Sequence, residues 1–430
     1  MYYNRIVVWL RLYFVKSSLN GNSIMNNFYN KDISKLLLSI ISCLISNKKY
    51  ENIINGEDLK KLCFLAEIHN LSPIIYYVLQ DRFELLAKEN DKTAEELKKK
   101  YRYAIFHSSQ QEDYVKEILK AFDQEKVTVL FFKGAELKKY YPVAELRTMG
   151  DTDCLILEKD RQTAHKIMGD LGYTNCNRNL DVWIYEKNNI HIEMQSHLAH
   201  NGVGNGFDYK AYFSDAFEHT KIGYNSLQLE DEYNLCYLFY HIAKHLSSTG
   251  AGIRMILDIA VFTNAIQDKI DFKKLSLMLE ETHLTGTANA VYALCDKWFG
   301  TSFTDKFNLS GEIPDGLEEY IINGGVFGFE THDTGDVYRR RALENLQQTD
   351  NKPSRFKAIK NFFFPSIDYM QQYIPSVKKC PWLLPFAWLK RCFIGLFKRN
   401  KHSLNTLNSI GKGDNEQSLK EAQMLRKMGL

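Results

Sequence analysis

The sequence predicts an α+β protein in which a mixed β-sheet core sits between helical units on its N- and C-terminal sides. Apolar residues recur at three- and four-residue steps across residues 32–124. Short β-branched and aromatic runs bounded by turn residues fill 127–193. The helical period returns from residue 230. A chain of 430 residues exceeds the roughly 250–300 at which one core stops growing, so two or three packed units are expected. The divisions read as an extension over 1–25, an N-terminal helical unit over 26–124, the sheet core over 125–225, a helical unit over 226–310, a C-terminal helical region over 311–400 and a polar tail over 401–430.

In the extension, the apolar run from Ile6 is broken by Arg11. It is too short to span a bilayer and no small-residue cleavage site follows it, so no secretory signal is read there. Met25, after a Gly/Ser/Asn stretch and before Asn26-Asn27-Phe28, is read as an alternative native start, which N-terminal mass spectrometry would test. Helices are expected from Asp32, from Gly56-Glu57-Asp58 and from Pro73. A long charged helix over 91–124 is expected to lay Tyr103, Ile105, Phe106, Tyr114, Ile118, Leu119 and Phe122 on the sheet.

The core opens with Val127-Thr128-Val129-Leu130-Phe131-Phe132, which stops at Lys133-Gly134 and gives way to a helical pattern. A second apolar run begins at Asp151-Thr152-Asp153, and side chains two apart on a strand share a face. A third, Ile190-His191-Ile192-Glu193-Met194, carries one acid among apolar neighbours. Three carboxylates on adjacent strands suit Mg²⁺, which takes hard oxygen ligands and shares them with substrate phosphates. One or two such ions can stabilise the attacking and leaving oxygens of a phosphoryl or nucleotidyl transfer. Gly134 at the strand-to-helix turn lets backbone N–H groups approach a triphosphate, helped by the helix N-terminus. Lys133 flanks that terminus and suits a phosphate contact, or covers the sheet edge with its stem. Arg147 suits a phosphate oxygen, or anchors the Asp151 loop by pairing with a carboxylate.

Residues 159–171 read as a helix ended by Gly172, followed by strands at Tyr173-Thr174-Asn175-Cys176 and Val182-Trp183-Ile184-Tyr185. Asn188-Asn189 signals a hairpin turn into the Glu193 strand. The Gly-rich segment 200–206 reads as a flexible loop, either a lid or a solvent-exposed turn. Four helices are expected over 230–300, the first buried along Leu235, Leu238, Phe239, Ile242 and Leu246. His241 and His245 lie one turn apart, without the Glu or third ligand of a zinc site. Arg254 and Asp258 have ion-pair spacing.

Further on, an acidic segment over 330–336 precedes Tyr338-Arg339-Arg340-Arg341. Residues 382–397 mix aromatics with Lys390 and Arg391, followed by Lys398 and Arg399. That composition suits a peripheral membrane contact through a helix lying in the interface. It also suits a helix docked on the protein's own core, which is the preferred reading. The tail from Lys401 reads as polar, with a short terminal helix. A net charge of +3 marks no nucleic-acid surface, so none is expected as a partner. Eight scattered cysteines without a Cys-x-x-Cys argue for reduced thiols in a cytoplasmic protein, against disulfides and structural zinc.

The order of strand, Gly134, helix, Asp-x-Asp strand and later acidic strand resembles the nucleotidyltransferase superfamily that includes DNA polymerase β and the aminoglycoside nucleotidyltransferases. More narrowly, Phe132-Lys133-Gly134-Ala135, the Arg147-Thr148-Met149-Gly150-Asp151-Thr152-Asp153 segment and Ile192-Glu193 resemble a bacterial family described only as uncharacterised nucleotidyltransferases. There Lys-Gly stands where the wider superfamily has Gly-Gly or Gly-Ser. Leu65-Ala66-Glu67-Ile68-His69-Asn70-Leu71-Ser72-Pro73 is similar to its N-terminal signature, and His241, His245, Arg254 and Asp258 to its C-terminal one. Phe362-Phe363-Phe364-Pro365-Ser366 with Tyr369 and Tyr373 extends the likeness, which runs over roughly residues 30–375. The sequence departs at Gln195, where many members are expected to carry His; His191 and His197 lie close by.

The resemblance implies a nucleotidyltransferase-like core and Mg²⁺-dependent transfer of a nucleoside monophosphate from an NTP to an acceptor hydroxyl. The acceptor is an unknown small molecule, sugar or protein. Asp151, Asp153 and Glu193 are the implied metal ligands and catalytic acids, with Glu193 also the candidate general base. Lys133, Gly134 and Arg147 are the implied triphosphate contacts, and His245 and Asp258 the implied positioning groups for nucleotide or acceptor. The alternative is a nucleotide-binding or scaffold protein of the same fold without turnover.

Overall fold

The computed structural model describes residues 31–178, 182–223, 227–248 and 250–326, together with parts of 337–430. The expectations for residues 1–25 and 330–336, and for Arg339, Arg341, Ser366, Tyr369, Tyr373, Lys398 and Arg399, lie outside the described residues.

The N-terminal unit holds α1 (Lys31–Ser46), α2 (Gly56–Ile68), α3 (Ser72–Leu79) and α4 (Phe83–Gln124). The Asn55 side chain caps α2, accepting from the N–H groups of Glu57 and Asp58 at 3.1 and 2.9 Å. Such a cap contributes about 1 kcal/mol. Pro73 is the second residue of α3, where its missing N–H costs nothing. Helix α4 breaks at Asn90, which leaves helical geometry (φ −161°, ψ 86°). Near its C-terminal end Ile118 and Phe122 bury against the sheet. Tyr103 and Phe106, expected there as well, stand 65% and 62% exposed. At 42 residues α4 overhangs the sheet, and only its last turns lie on it.

The core contains β1 (Val129–Phe131), α5 (Gly134–Leu137), β2 (Thr152–Ile156), α6 (Arg161–Asp170), β3 (Thr174–Arg178), β4 (Val182–Lys187), β5 (Ile190–Gln195), β6 (Thr220–Ile222) and β7 (Leu227–Leu229). The strands form one mixed sheet in the order β3-β4-β5-β2-β1-β7-β6. β2 is parallel to β5 and antiparallel to β1. Asn188 and Asn189 both take positive φ (49° and 62°), the conformation of the tight hairpin turn joining β4 and β5. Gly172 ends α6 at φ 83°.

Alternation divides the sheet. One face buries Val129, Phe131, Cys154, Ile156, Ile192 and Met194 against α4 and α6. The other carries Leu130, Phe132 and Leu155 into the larger core shared with the helical units. Asp153, two residues before Leu155, is on this second face. The helices that share this core are α7 (Asp231–Leu246), whose Tyr237 meets Phe132 edge to face, α8 (Ile253–Ile266), α9 (Phe272–Glu281) and α10 (Thr285–Phe299). The stripe Leu235, Leu238, Phe239, Ile242 and Leu246 is buried as expected. Truncating any one of these leucines to Ala should cost about 2–5 kcal/mol. The Gly-rich segment is held down: Val203 is buried, and Tyr240 Oη accepts from His200 N at 2.8 Å and donates to its carbonyl at 2.6 Å.

Helix α11 (Leu317–Gly324) follows, then α12 (Arg355–Phe363), α13 (Leu384–Phe397) and the terminal α14 (Asn415–Lys427). Arg340 is buried and ties these parts together. It donates to Tyr320 Oη on α11, to the Leu246 and Ser248 carbonyls after α7, and to Glu421 on α14.

Candidate active site

Register brings the acids together. Asp153 on β2 lies directly beside Glu193 on β5, so the two carboxylates leave the same face of adjacent parallel strands. Asp151 stands two residues ahead, at the mouth of β2. Lys133 closes on this group, its Nζ 2.7 Å from Asp153 Oδ1. Gln195, two residues beyond Glu193, donates Nε2 to the same oxygen at 2.8 Å. The position expected to carry an imidazole thus carries an amide that holds Asp153.

Lys133 also holds an unusual backbone. Its φ of 53° and ψ of −126° belong to the region that glycine occupies without penalty. A lysine there costs on the order of 1–3 kcal/mol unless its surroundings enforce it. The following α5 is one turn long, so its dipole offers a phosphate little and the Lys133 ammonium is the stronger attraction. Gly134 makes room for a loop: a Cβ here would lie 2.7 Å from Met149 Sδ and 2.8 Å from its Cγ.

That loop is anchored from several sides. Arg147 donates Nε and Nη2 to the two oxygens of Asp258 on α8, at 2.7 and 2.8 Å, and Nη1 to the Thr148 carbonyl at 2.7 Å. Tyr141 Oη donates to Asp258 Oδ1 at 2.7 Å. Arg254 donates to the Thr148 carbonyl at 3.1 Å and Gln111 to that of Met149 at 3.4 Å. Each of the three Arg147 guanidinium nitrogens and both Asp258 oxygens are therefore engaged within the protein. They fix the approach to Asp151. Of the two roles open to Arg147 in the sequence, the geometry gives carboxylate pairing.

Buried Asp153 and the half-buried Glu193 beside it titrate accordingly, with Asp151 adding its charge to both. Burial, then Asp153 and Asp151, pushes Glu193 from 4.5 up to about 7. Burial likewise pushes Asp153 above its usual range, with Lys133 pulling the other way. Burial opposes the Lys133 ammonium, but Asp153, Tyr237 and Glu193 outweigh it and raise its pKa. On α7, Lys244 faces the same field. Burial and Lys133 bring it from 10.5 down to about 8, against the pull of Asp153 and Glu193. No hydrogen bond or salt bridge joins Lys244 to another side chain among the described residues. His245 is pushed down to about 3 by burial and the nearby lysines, and His241 falls well below its usual range. Both rings are neutral at physiological pH, and their centroids lie 4.7 Å apart.

By chemistry the donor set of Asp151, Asp153 and Glu193 fits a hard divalent cation. Among the described residues, however, no three acidic, imidazole or thiolate groups close on a common point. The Lys133 ammonium holds the place of a cation against Asp153.

The profile of a family described as "Uncharacterised nucleotidyltransferase" matches residues 55–300, more than half the chain. The chain belongs to that family. The nucleotidyltransferase is therefore a transferase, and its mixed sheet between helical units is the nucleotidyltransferase-like core expected from the sequence. Among solved structures, the solution structure of the antibiotic-resistance factor ANT(2'')-Ia is similar at 13% identity. That match covers 40% of this chain and 89% of that one, with a TM-score of 0.30. No curated protein matches.

Sequence reasoning on this nucleotidyltransferase passed over Lys244 and Tyr141. Lys244 is the one lysine or arginine of α7, in the same turn as the two histidines, and that was the available signal. Tyr141 carried none, because its partner Asp258 is 117 residues away.

Proposed function

We propose that the enzyme transfers a nucleoside monophosphate from an NTP to an acceptor hydroxyl and releases pyrophosphate. The hydroxyl oxygen attacks the α-phosphorus, the bond from that phosphorus to the α,β-bridging oxygen breaks, and the hydroxyl proton passes to Glu193. The observation that carries this reading is the parallel register of Asp153 with Glu193, with Asp151 two residues ahead. Asp151 and Asp153 would hold Mg²⁺. When bound, the ion supplies positive charge to the phosphate oxygens and to the leaving pyrophosphate. Glu193, at about 7, matches the pKa wanted of a base working near neutrality. Gln195 and Lys133 hold Asp153 in place.

Lys133 and Lys244 stand as the cations for the triphosphate, with Gly134 admitting the loop that carries Asp151. Arg147 and Asp258 act through that loop as positioning residues, and neutral His245 lines the wall beside Lys244. The acceptor is a small molecule, a sugar or a protein. A second reading, nucleotide binding without turnover, is favoured by the Lys133–Asp153 salt bridge, which sets an ammonium against the oxygen a metal would use.

Calorimetry with each NTP, with and without Mg²⁺, tests the site on wild type and on Asp151→Asn/Asp153→Asn. Mg²⁺-dependent binding that the double variant loses is expected. Binding that is indifferent to both the metal and the substitutions would overturn the assignment.

A further inference from the structure

The C-terminal helix α13 carries a surface that the transferase reading does not use. Trp382 in the preceding turn, then Phe386, Leu389 and Phe393, follow one another at steps of four, three and four, which is one face of a helix. They are 72%, 63%, 67% and 63% exposed. Four large apolar side chains standing together in water need a reason, since scattered ones do not form such a stripe.

The helix is already docked by its other side. Ala387 is buried among Met370, Val377, Leu384 and Trp388. Trp388 Nε1 donates to the Pro365 carbonyl at 2.9 Å, and Arg391 Nη1 to that of Phe362 at 2.6 Å. Docking on the protein's own core, the preferred reading of the sequence, accounts for this side alone.

Charge points to what covers the stripe. Residues 378–401 contain seven Lys or Arg and no Asp or Glu, and the acid-free stretch runs from 369 to 413. A second copy would bring the same positive charge against itself, whereas an anionic surface complements it. The helix has 14 residues, about 21 Å. No helix of the described residues is long and apolar enough to cross a membrane. A short apolar face with a Trp at its start and basic residues before and after it in sequence is the pattern of a helix lying in the headgroup region.

We propose that α13 seats the protein on anionic lipid, with Trp382, Phe386, Leu389 and Phe393 entering the headgroup–acyl boundary and the positive charge of Lys390 and of the basic segments that flank the helix in sequence attracting the lipid phosphates. The occupant is a bilayer surface, independent of which acceptor the active site serves.

Flotation of the full chain with vesicles of phosphatidylcholine alone, or with added phosphatidylglycerol, tests this. Three variants are compared: wild type, Trp382→Ser/Phe386→Ser/Phe393→Ser and Lys390→Glu/Lys398→Glu. The wild type should float with the anionic vesicles and less so at high salt. The serine variant should lose affinity on the order of 100-fold, and the glutamate variant on the order of 10-fold or more. Light scattering of each variant without lipid accompanies the assay. Failure of the wild type to float, equal flotation on neutral vesicles, or unchanged flotation of both variants would overturn the proposal. So would a wild-type dimer that the serine variant dissociates, which would assign the stripe to a second copy.

Discussion

Replacing Glu193 by glutamine keeps the shape of the side chain and removes its charge from the centre of the acidic group. In the fold this carboxyl titrates at about 7, against 4.5 as its ordinary value. Below 4.5 it is protonated in both folded and unfolded chains, so the fold carries no penalty there. As pH rises toward 7 the unfolded chain gives up its proton while the folded one must hold it. Stability is lost across that window and the loss is complete above 7. A pKa difference of this size, at 1.36 kcal/mol per pH unit, amounts to about 3 kcal/mol. The glutamine cannot titrate and escapes this loss. Urea denaturation of metal-free wild type and Glu193→Gln at pH 5 and pH 8 reads the effect, together with the smaller changes at Lys133 and Lys244, whose ammonium groups Glu193 supports. Relative to wild type, the variant should gain about 2.5 kcal/mol between the two pH values, since part of the loss has already occurred at pH 5, while losing transfer activity. Parallel pH profiles would refute the placement of Glu193 against the charge of Asp153 and Asp151 in a desolvated position.

Lys133→Gly should be more stable than Lys133→Ala by about 1 kcal/mol or more, because glycine alone relieves the positive φ; urea midpoints decide it, and both variants should bind NTP weakly. Asp258→Ala leaves the Arg147 guanidinium buried without its carboxylate and should cost about 3–5 kcal/mol, with partial recovery in Asp258→Ala/Arg147→Met, read from chemical denaturation. Lys244→Met removes a partly desolvated charge, so its melting temperature should hold or rise, while calorimetry should show NTP binding weakened about 10-fold or more.

Much of this arrangement was legible because it depends on local rules. Strand alternation put Asp153 on one face of β2 and Glu193 on one face of β5, where the parallel register sets them side by side, and the Asn188-Asn189 turn marked the β4–β5 hairpin. The Lys-Gly pair that replaces Gly-Gly or Gly-Ser in the resemblance finds its physical counterpart in the glycine-like backbone of Lys133. What sequence could not give was long-range pairing. Arg147 had two plausible partners, and only the packing of α8 against the loop chose Asp258, 111 residues away. Gln195 looked like a lost imidazole until its amide was seen on Asp153. Periodicity alone also put Tyr103 and Phe106 on the sheet, because it reports the face of a helix and not how far the neighbouring sheet extends.

Label transfer tests the central claim most directly. Wild type and Asp153→Asn would be incubated with Mg²⁺, a candidate-acceptor mixture such as a bacterial extract, and NTPs labelled at either the α- or the γ-phosphate. The account predicts α-label joined covalently to an acceptor, γ-label released as pyrophosphate, and neither with Asp153→Asn. Transfer of the γ-label to acceptor, or α-transfer that survives the loss of the Asp153 carboxylate, would contradict it.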